Sequence, residues 1–301
     1  MDDGRGTAMA ARPPLSVADT PLRARPRTLS YSPAPRAPVN AGHPVPPVRR
    51  RGPTTNRRAR DGAENGPPDG PVAHPRQHGR MVSLFDILGP TMVGPSSSHT
   101  AGACRLGLVA RAIADGTPDE ARIRLHGSFA ATGEGHGTHR ALVGGLIGLA
   151  PDDLRLREAY EHAHEAGLRW SFEEVDLGPE AHPNTALIEL LRGGVTSHVR
   201  GASVGGGRIE VTEVDGFPVS LGGSYHTLVL LAHDEPGTIA AVAGTLAGHG
   251  VNLATMRVDR TGRHKDALMT IECDEPIDDD VLAAIRPFGW LRWVRRVEKI
   301  A

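Results

Sequence analysis

HTLVLLAHDEPGTIAAVAGTLAGHGVNLATMRVDRTGRHKDALMTIECD, residues 226–274, decides the fold of the C-terminal part of the chain. HTLVLLAH reads as a strand, DEPG as a turn, and TIAAVAGTLAGHG as a helix ended by Gly250. VNLATMRVDR and ALMTIECD read as two arms of a hairpin around Thr261-Gly262. Beyond them VLAAIRPFG predicts a short helix and WVRRVEKI a closing strand. The order βαββαβ is the ferredoxin-like split unit, with two helices on one face of a sheet. The spacing predicts a separate domain over 226–301, joined through a flexible Gly222-Gly223-Ser224.

Upstream, residues 81–225 predict an α+β domain. VSLFDILGP is a short apolar entry segment. Serines 96–98 are N-cap candidates for a helix near 99–114, where Ala103, Leu106, Ala110 and Ile113 fall at helical spacing. Ile123, Leu125 and Gly127 alternate with polar residues as a strand does. Helices are expected near 138–148, with Leu142, Leu146 and Leu149 on one face, and near 154–166. From 171 to 221 several strands follow, split by HPNT at 182–185, GASVGGG at 201–207 and Asp215-Gly216.

Residues 1–80 are a different polymer. They hold 15 of the 25 prolines, 14 arginines, no lysine and six acids, about +8 in a chain of net charge −1. Without hydrophobic periodicity they read as a disordered extension, and Met81 is a candidate start of the folded protein. The cluster from Arg49 to Arg60 could touch nucleic acid or a membrane surface, but the expected reading is no nucleic acid and no membrane. No run is long and apolar enough to span a bilayer, and no secretory h-region is present. Cys104 and Cys273 fall in different predicted domains, which fits free core thiols in a reducing cytoplasm.

Four segments could carry chemistry. In Gly94-Pro95-Ser96-Ser97-Ser98-His99-Thr100, hydroxyls ahead of a helix collect donors around one point suited to a carboxylate, and His99 titrates near neutrality. The same serines could simply cap the helix. In Gly133-Glu134-Gly135-His136-Gly137-Thr138-His139, glycines let the backbone approach a ligand at a second helix N-terminus, and phosphate binding is an alternative use. His136 and His139 lack further ligands at suitable spacing, so no metal site is expected. His182-Pro183-Asn184-Thr185 and Gly201–Gly207 read equally as architecture or as ligand contacts. Asp234, Gly237 and Asn252 could hold a free amino acid between a helix N-terminus and the following strand, or form only a tight turn.

Taken together, SLFDILGPTMVGPSSSHTAGACRLG, GEGHGT, HPNT and SVGGG, in that order, resemble the β subunit of iron–sulfur L-serine dehydratases. The last 76 residues, with DEPG and VNLATM, resemble an ACT domain. The resemblance implies that 81–225 is similar to the allosteric substrate-binding domain of some phosphoglycerate dehydrogenases. It implies deamination of L-serine to pyruvate and ammonia, with a 4Fe-4S cluster held by a separate α subunit as Lewis acid. It implies catalytic roles for Ser98, His99, Thr100 and His136, and substrate contacts at Ser96, Ser97, Gly137, Thr138 and Asn184. Asp234, Gly237 and Asn252 would bind a regulatory ligand, and the ACT domain could mediate a homodimer contact. The family's pattern has an acid after GHGT, where this chain has His139.

Two residue counts agree with a division of labour. Cys104 and Cys273 cannot supply the three or four thiolates of a cluster. Lys265, in a predicted hairpin, and Lys299, near the C-terminus, are poor candidates for a pyridoxal phosphate Schiff base. The alternative is a serine-sensing regulatory protein with no catalytic partner.

Overall fold

The computed structural model describes residues 91–300. The expected disordered extension over 1–80 and the entry segment VSLFDILGP lie outside the described residues.

The first element is a π-helical turn, Ser97–Gly102, running directly into helix α1, Ala103–Ile113. Ser96 caps it, its side chain accepting from the His99 amide. Strand β1 (Glu120–Leu125) leads to α2 (Ser128–Thr132) and α3 (Thr138–Leu146). A 3₁₀ turn (Leu154–Glu158) then opens α4 (Ala159–Glu165). The strands β2 (Arg169–Glu174), β3 (Thr185–Arg192), β4 (Val195–Gly205), β5 (Arg208–Val214) and β6 (Phe217–Leu221) complete a sheet of order β2-β1-β3-β4-β5-β6. Only β1 and β2 are parallel, because the chain between them crosses through the helices; the rest is an antiparallel meander. Asp215 and Gly216 take φ of 49° and 80°, the left-handed pair that a tight hairpin requires.

Glycine sets how closely the helices pack. A Cβ on Gly107 of α1 would run into the Leu142 carbonyl, and one on Gly145 of α3 into the Cys104 carbonyl, so both helix backbones meet without side chains between them. GASVGGG separates two strands as expected, but only its end turns. Gly201 to Gly205 lie inside β4, and only Gly206 and Gly207 turn. A Cβ on Gly201 would stand 2.7 Å from the Leu106 side chain, so the glycine admits α1 onto the strand.

The C-terminal unit has the expected order: β7 (His226–His233), α5 (Thr238–Gly248), β8 (Leu253–Arg260), β9 (Asp266–Cys273), α6 (Asp279–Ile285) and β10 (Leu291–Val297). Its antiparallel sheet runs β10-β7-β9-β8. Leu228, Leu230, Met269 and Ile271 pack on Val242 and Leu246 of α5 and on Val281 and Ile285 of α6. The other face is also covered. Val229, Leu268 and Val297 join the core built around α1, so the two domains share apolar packing. The expected flexible joint is therefore clasped: the Ile300 amide donates to the Gly223 carbonyl at 3.0 Å. Among the described residues no helix is long and apolar enough to cross a membrane.

Candidate active site

The π-helical turn and the loop ahead of α3 converge. The His99 and His136 rings stand 5.1 Å apart, and the Thr100 hydroxyl donates to the His136 carbonyl at 3.4 Å. Buried Phe129 meets the His99 ring edge-on at 5.3 Å. His99 Nε2 lies 3.2 Å from both Ser128 Oγ and Thr132 Oγ1, and its Nδ1 lies 3.5 Å from Ser96 Oγ. The Thr132 hydroxyl spends its hydrogen on the Ser128 carbonyl at 2.9 Å, so toward His99 it can only accept. His99 Nε2 therefore carries the hydrogen in the neutral ring. Burial holds the His99 pKa below its ordinary value, opposed by a hydrogen bond at Ser128 and reinforced by His136. Near pH 7 the ring is neutral and offers a donor at Nε2.

A cleft of about 450 Å³ opens beside this pair, lined by Gly94, Thr100, His136, Gly137, Arg140 and Arg157 among others. His136 is exposed at its rim. Gly137 has φ +77° with open space where a Cβ would stand, so glycine is needed for the turn and leaves the α3 N-terminus bare. Thr138, the first residue of α3, is fully buried, and its hydroxyl has no partner among the described residues.

Not every expected site residue faces this cleft. Ser97 and Ser98 sit half-buried in the π-helical turn. Asn184 is tied to β4 behind it: its Nδ2 donates to the Ser203 carbonyl at 3.3 Å, and it does not line the cleft. Its Oδ1 and the Ser203 hydroxyl are both buried without a partner among the described residues. His139 turns away as well, stacking on Phe172 at 4.1 Å. Burial lowers its pKa, with Glu134 opposing, which favours the neutral ring packed on Phe172. Four residues near the pair have no motif to mark them: Ser128, Thr132, Arg140 and Arg157. Ser128 and Thr132 belong to the short helix α2, which the sequence pattern does not reveal.

In the C-terminal unit the expected grip does not form within one chain. Asp234 follows β7 and accepts from Arg260 Nη1 at 3.1 Å and from the His264 amide at 3.2 Å. That amide first, and Arg260 with it, holds the Asp234 carboxyl below the usual range. Asn252 precedes β8, donating from Nδ2 to Asp274 at 2.7 Å. Both β7 and β8 run antiparallel to β9, with His233 opposite Asp266 and Leu253 opposite Cys273. Asp234 and Asn252 thus lie at opposite ends of the sheet, on the order of 20 Å apart at about 3.3 Å per residue. Helix α5 carries the chain back to the starting end, and this corrects the single-chain reading of Asp234, Gly237 and Asn252 as one pocket.

Comparison with known proteins settles the family. The serine dehydratase beta chain family matches residues 83–169, and the ACT domain family matches 226–288. The chain is 44% identical over 200 residues to the probable L-serine dehydratase, beta chain, of Bacillus subtilis (strain 168), covering 66% of this chain and 90% of that one. The chain belongs to the serine dehydratase β-chain family. The L-serine dehydratase, beta chain, of Peptoniphilus asaccharolyticus is 38% identical to this β chain over 204 residues, 67% of this chain and 92% of that one. D-3-phosphoglycerate dehydrogenase of Synechocystis is 29% identical over 192 residues, 62% of this chain and 34% of that one.

The two cysteines are unsuited to holding a metal cluster. Cys104 and Cys273 are buried, and burial pushes their thiols up to about 12 and about 11. Among the described residues no group of His, Cys, Asp and Glu could hold a metal ion.

Proposed function

We propose that this β chain completes the active site of a cytoplasmic L-serine dehydratase with a separate α subunit, converting L-serine to pyruvate and ammonia. The observation that carries the reading is the packing of His99 against His136, which lines the cleft, in a chain sharing 44% identity with a protein named as an L-serine dehydratase β chain. A 4Fe-4S cluster on the α subunit would supply the Lewis acid for the substrate hydroxyl; this chain's residues do not fit that cluster, and no step here runs through it.

This chain's part is acid–base and positional. His136, exposed at the rim, accepts the α-proton and returns it to the departing hydroxyl, which leaves as water. The resulting aminoacrylate tautomerises and hydrolyses to pyruvate and ammonium. His99 holds the wall beside it, bonded to Ser128 and Thr132 through Nε2 and to Ser96 through Nδ1, and the hydroxyls of Ser97 and Ser98 add donors for the carboxylate at the helix N-terminus. A positioned proton carrier of this kind contributes about 10²–10⁴ in rate. The match to D-3-phosphoglycerate dehydrogenase, longer than the ACT region, supports an allosteric-substrate-binding-like fold for the first domain.

The ACT domain would act across two copies. Strand β8 is one edge of the sheet and carries exposed Val258. An antiparallel β8–β8 contact would bring Asn252 of one copy to the Asp234 and Gly237 end of the other, restoring a regulatory amino-acid site that one chain lacks. The test of the catalytic reading is anaerobic co-expression with the α chain, measuring pyruvate from L-serine. His99→Ala and His136→Ala should each lower kcat by about 10² or more. An inactive wild-type pair would sink the reading in favour of a serine sensor, and full activity in His99→Ala would remove its role.

A further inference from the structure

Helix α1 is held at its two ends by different domains. Its N-terminal extension is the π-helical turn with Ser98, His99 and Thr100, and its C-terminus is gripped by the ACT domain. The Arg295 side chain on β10, 18% exposed, donates from Nε to the Ile113 carbonyl at 2.9 Å and comes within 3.8 Å of Asp115. Asp115 stands just past the helix with φ 66°, and Arg192 at the end of β3 faces it at 3.9 Å. The last carbonyls of a helix have no partner within it, and a guanidinium there satisfies both the acceptor and the helix dipole. Here the donor comes from the neighbouring domain, with the Trp293 ring 5.3 Å beneath it.

The body of α1 transmits rather than absorbs displacement. Leu106, Val109, Ala110 and Ile113 are each at most 1% exposed and close-packed, so the helix moves as a unit. Its N-terminal turn is the softer part. A π turn carries an extra residue, and relaxing it to α-helical register would rotate its side chains by roughly 100° each. The π and α registers would be two discrete arrangements of such a turn, and an axial displacement of α1 would favour one over the other.

We propose that Arg295 is a positioning residue: by holding the C-terminus of α1 it keeps the π-helical turn in the register that aims His99 at Ser128 and Thr132, and so couples the ACT domain to the cleft. The kinetic consequence rests on the proposed serine dehydratase function; the effect on His99 does not.

The test has two arms on the full-length chain. In the first, the His99 ring is titrated by NMR in the wild type and in Arg295→Met, Arg295→Lys and Asp115→Asn. Arg295→Met should move the His99 midpoint up toward its ordinary value, Arg295→Lys should restore much of the depression, and Asp115→Asn should shift it less in the same direction. Arg292→Met on the same strand, which removes only the exposed pair with Asp266, should shift nothing. In the second arm, with the α chain, Arg295→Met should lower kcat on the order of tenfold with KM nearly unchanged, as expected for a misaimed group rather than lost binding. A folded Arg295→Met chain with unaltered His99 titration and kcat would overturn the proposal. If Arg295→Met fails to fold, Asp115→Asn decides, and an unmoved His99 there overturns it. A shifted His99 beside an inactive wild-type pair would leave the coupling standing and remove the serine dehydratase reading alone.

Discussion

The loops around α3 and those around α5 make an instructive pair. Each places a glycine with positive φ ahead of a helix, Gly137 at 77° and Gly237 at 97°, and each was expected to meet a second motif. The first meets it. Helices α1 and α3 cross at bare glycines, which draws the π-helical turn against the GEGHGT loop and sets His99 beside His136. The second does not, because strand direction places Asp234 and Asn252 at opposite ends of one sheet. Close helix crossing brings distant residues together, whereas a βαβ connection separates the end of one strand from the start of the next.

Phe129→Ala attacks the first region hardest. The ring is fully buried against His99, so its loss should cost about 3–5 kcal/mol, read from urea unfolding. A much smaller cost would mean that the His99 wall is not part of the packed core. Gly145→Ala tests the crossing itself. Its new methyl would meet the Cys104 carbonyl, a backbone atom that cannot rotate aside, so about 1–3 kcal/mol of stability should be lost. The matching change in the ACT helix, Gly244→Ala, meets open space and should be neutral or stabilising by up to about 1 kcal/mol. Equal losses at the two glycines would break the contrast.

The smallest expected effect is pH dependence. His99 and His139 both have pKa values lowered by burial, so the unfolded chain binds their protons more readily. The stability gained by keeping them neutral is complete above the unfolded value of about 6.5 and is lost as pH falls through their folded values. Protection from hydrogen exchange, corrected for the intrinsic pH dependence of amide exchange, should therefore fall in α2 and α3 as pH drops below about 6.5, and a variant lacking both histidines should not show it. Faster exchange in the ACT helices instead would locate the sensitive groups elsewhere.

Much was legible without coordinates. Alternating apolar residues with Asp215-Gly216 marked a hairpin, and GPSSSHTAG with GEGHGT marked two loops of the site. The short helix SFAAT was not legible, because five residues span too little for a period to show, and with it went Ser128 and Thr132. GASVGGG was legible as a strand break but not in its extent: glycine in a strand and glycine in a loop look alike until the helix lying on the strand is seen. His139 shows the same limit, since the sequence leaves a histidine after GHGT open between a neutral ring and a proton carrier until Phe172 is found stacked on it.

By itself the sequence determined the order of the longer elements, the split ferredoxin-like unit and the residue types available for chemistry, because periodicity and turn chemistry are local. Only the tertiary structure decided which of those residues meet. It placed His99 against His136, parted Asp234 from Asn252, and laid the ACT sheet on α1 so that Arg295 reaches Ile113. Contacts of that kind depend on strand direction and on where backbones can touch, which adjacent residues along a chain do not encode.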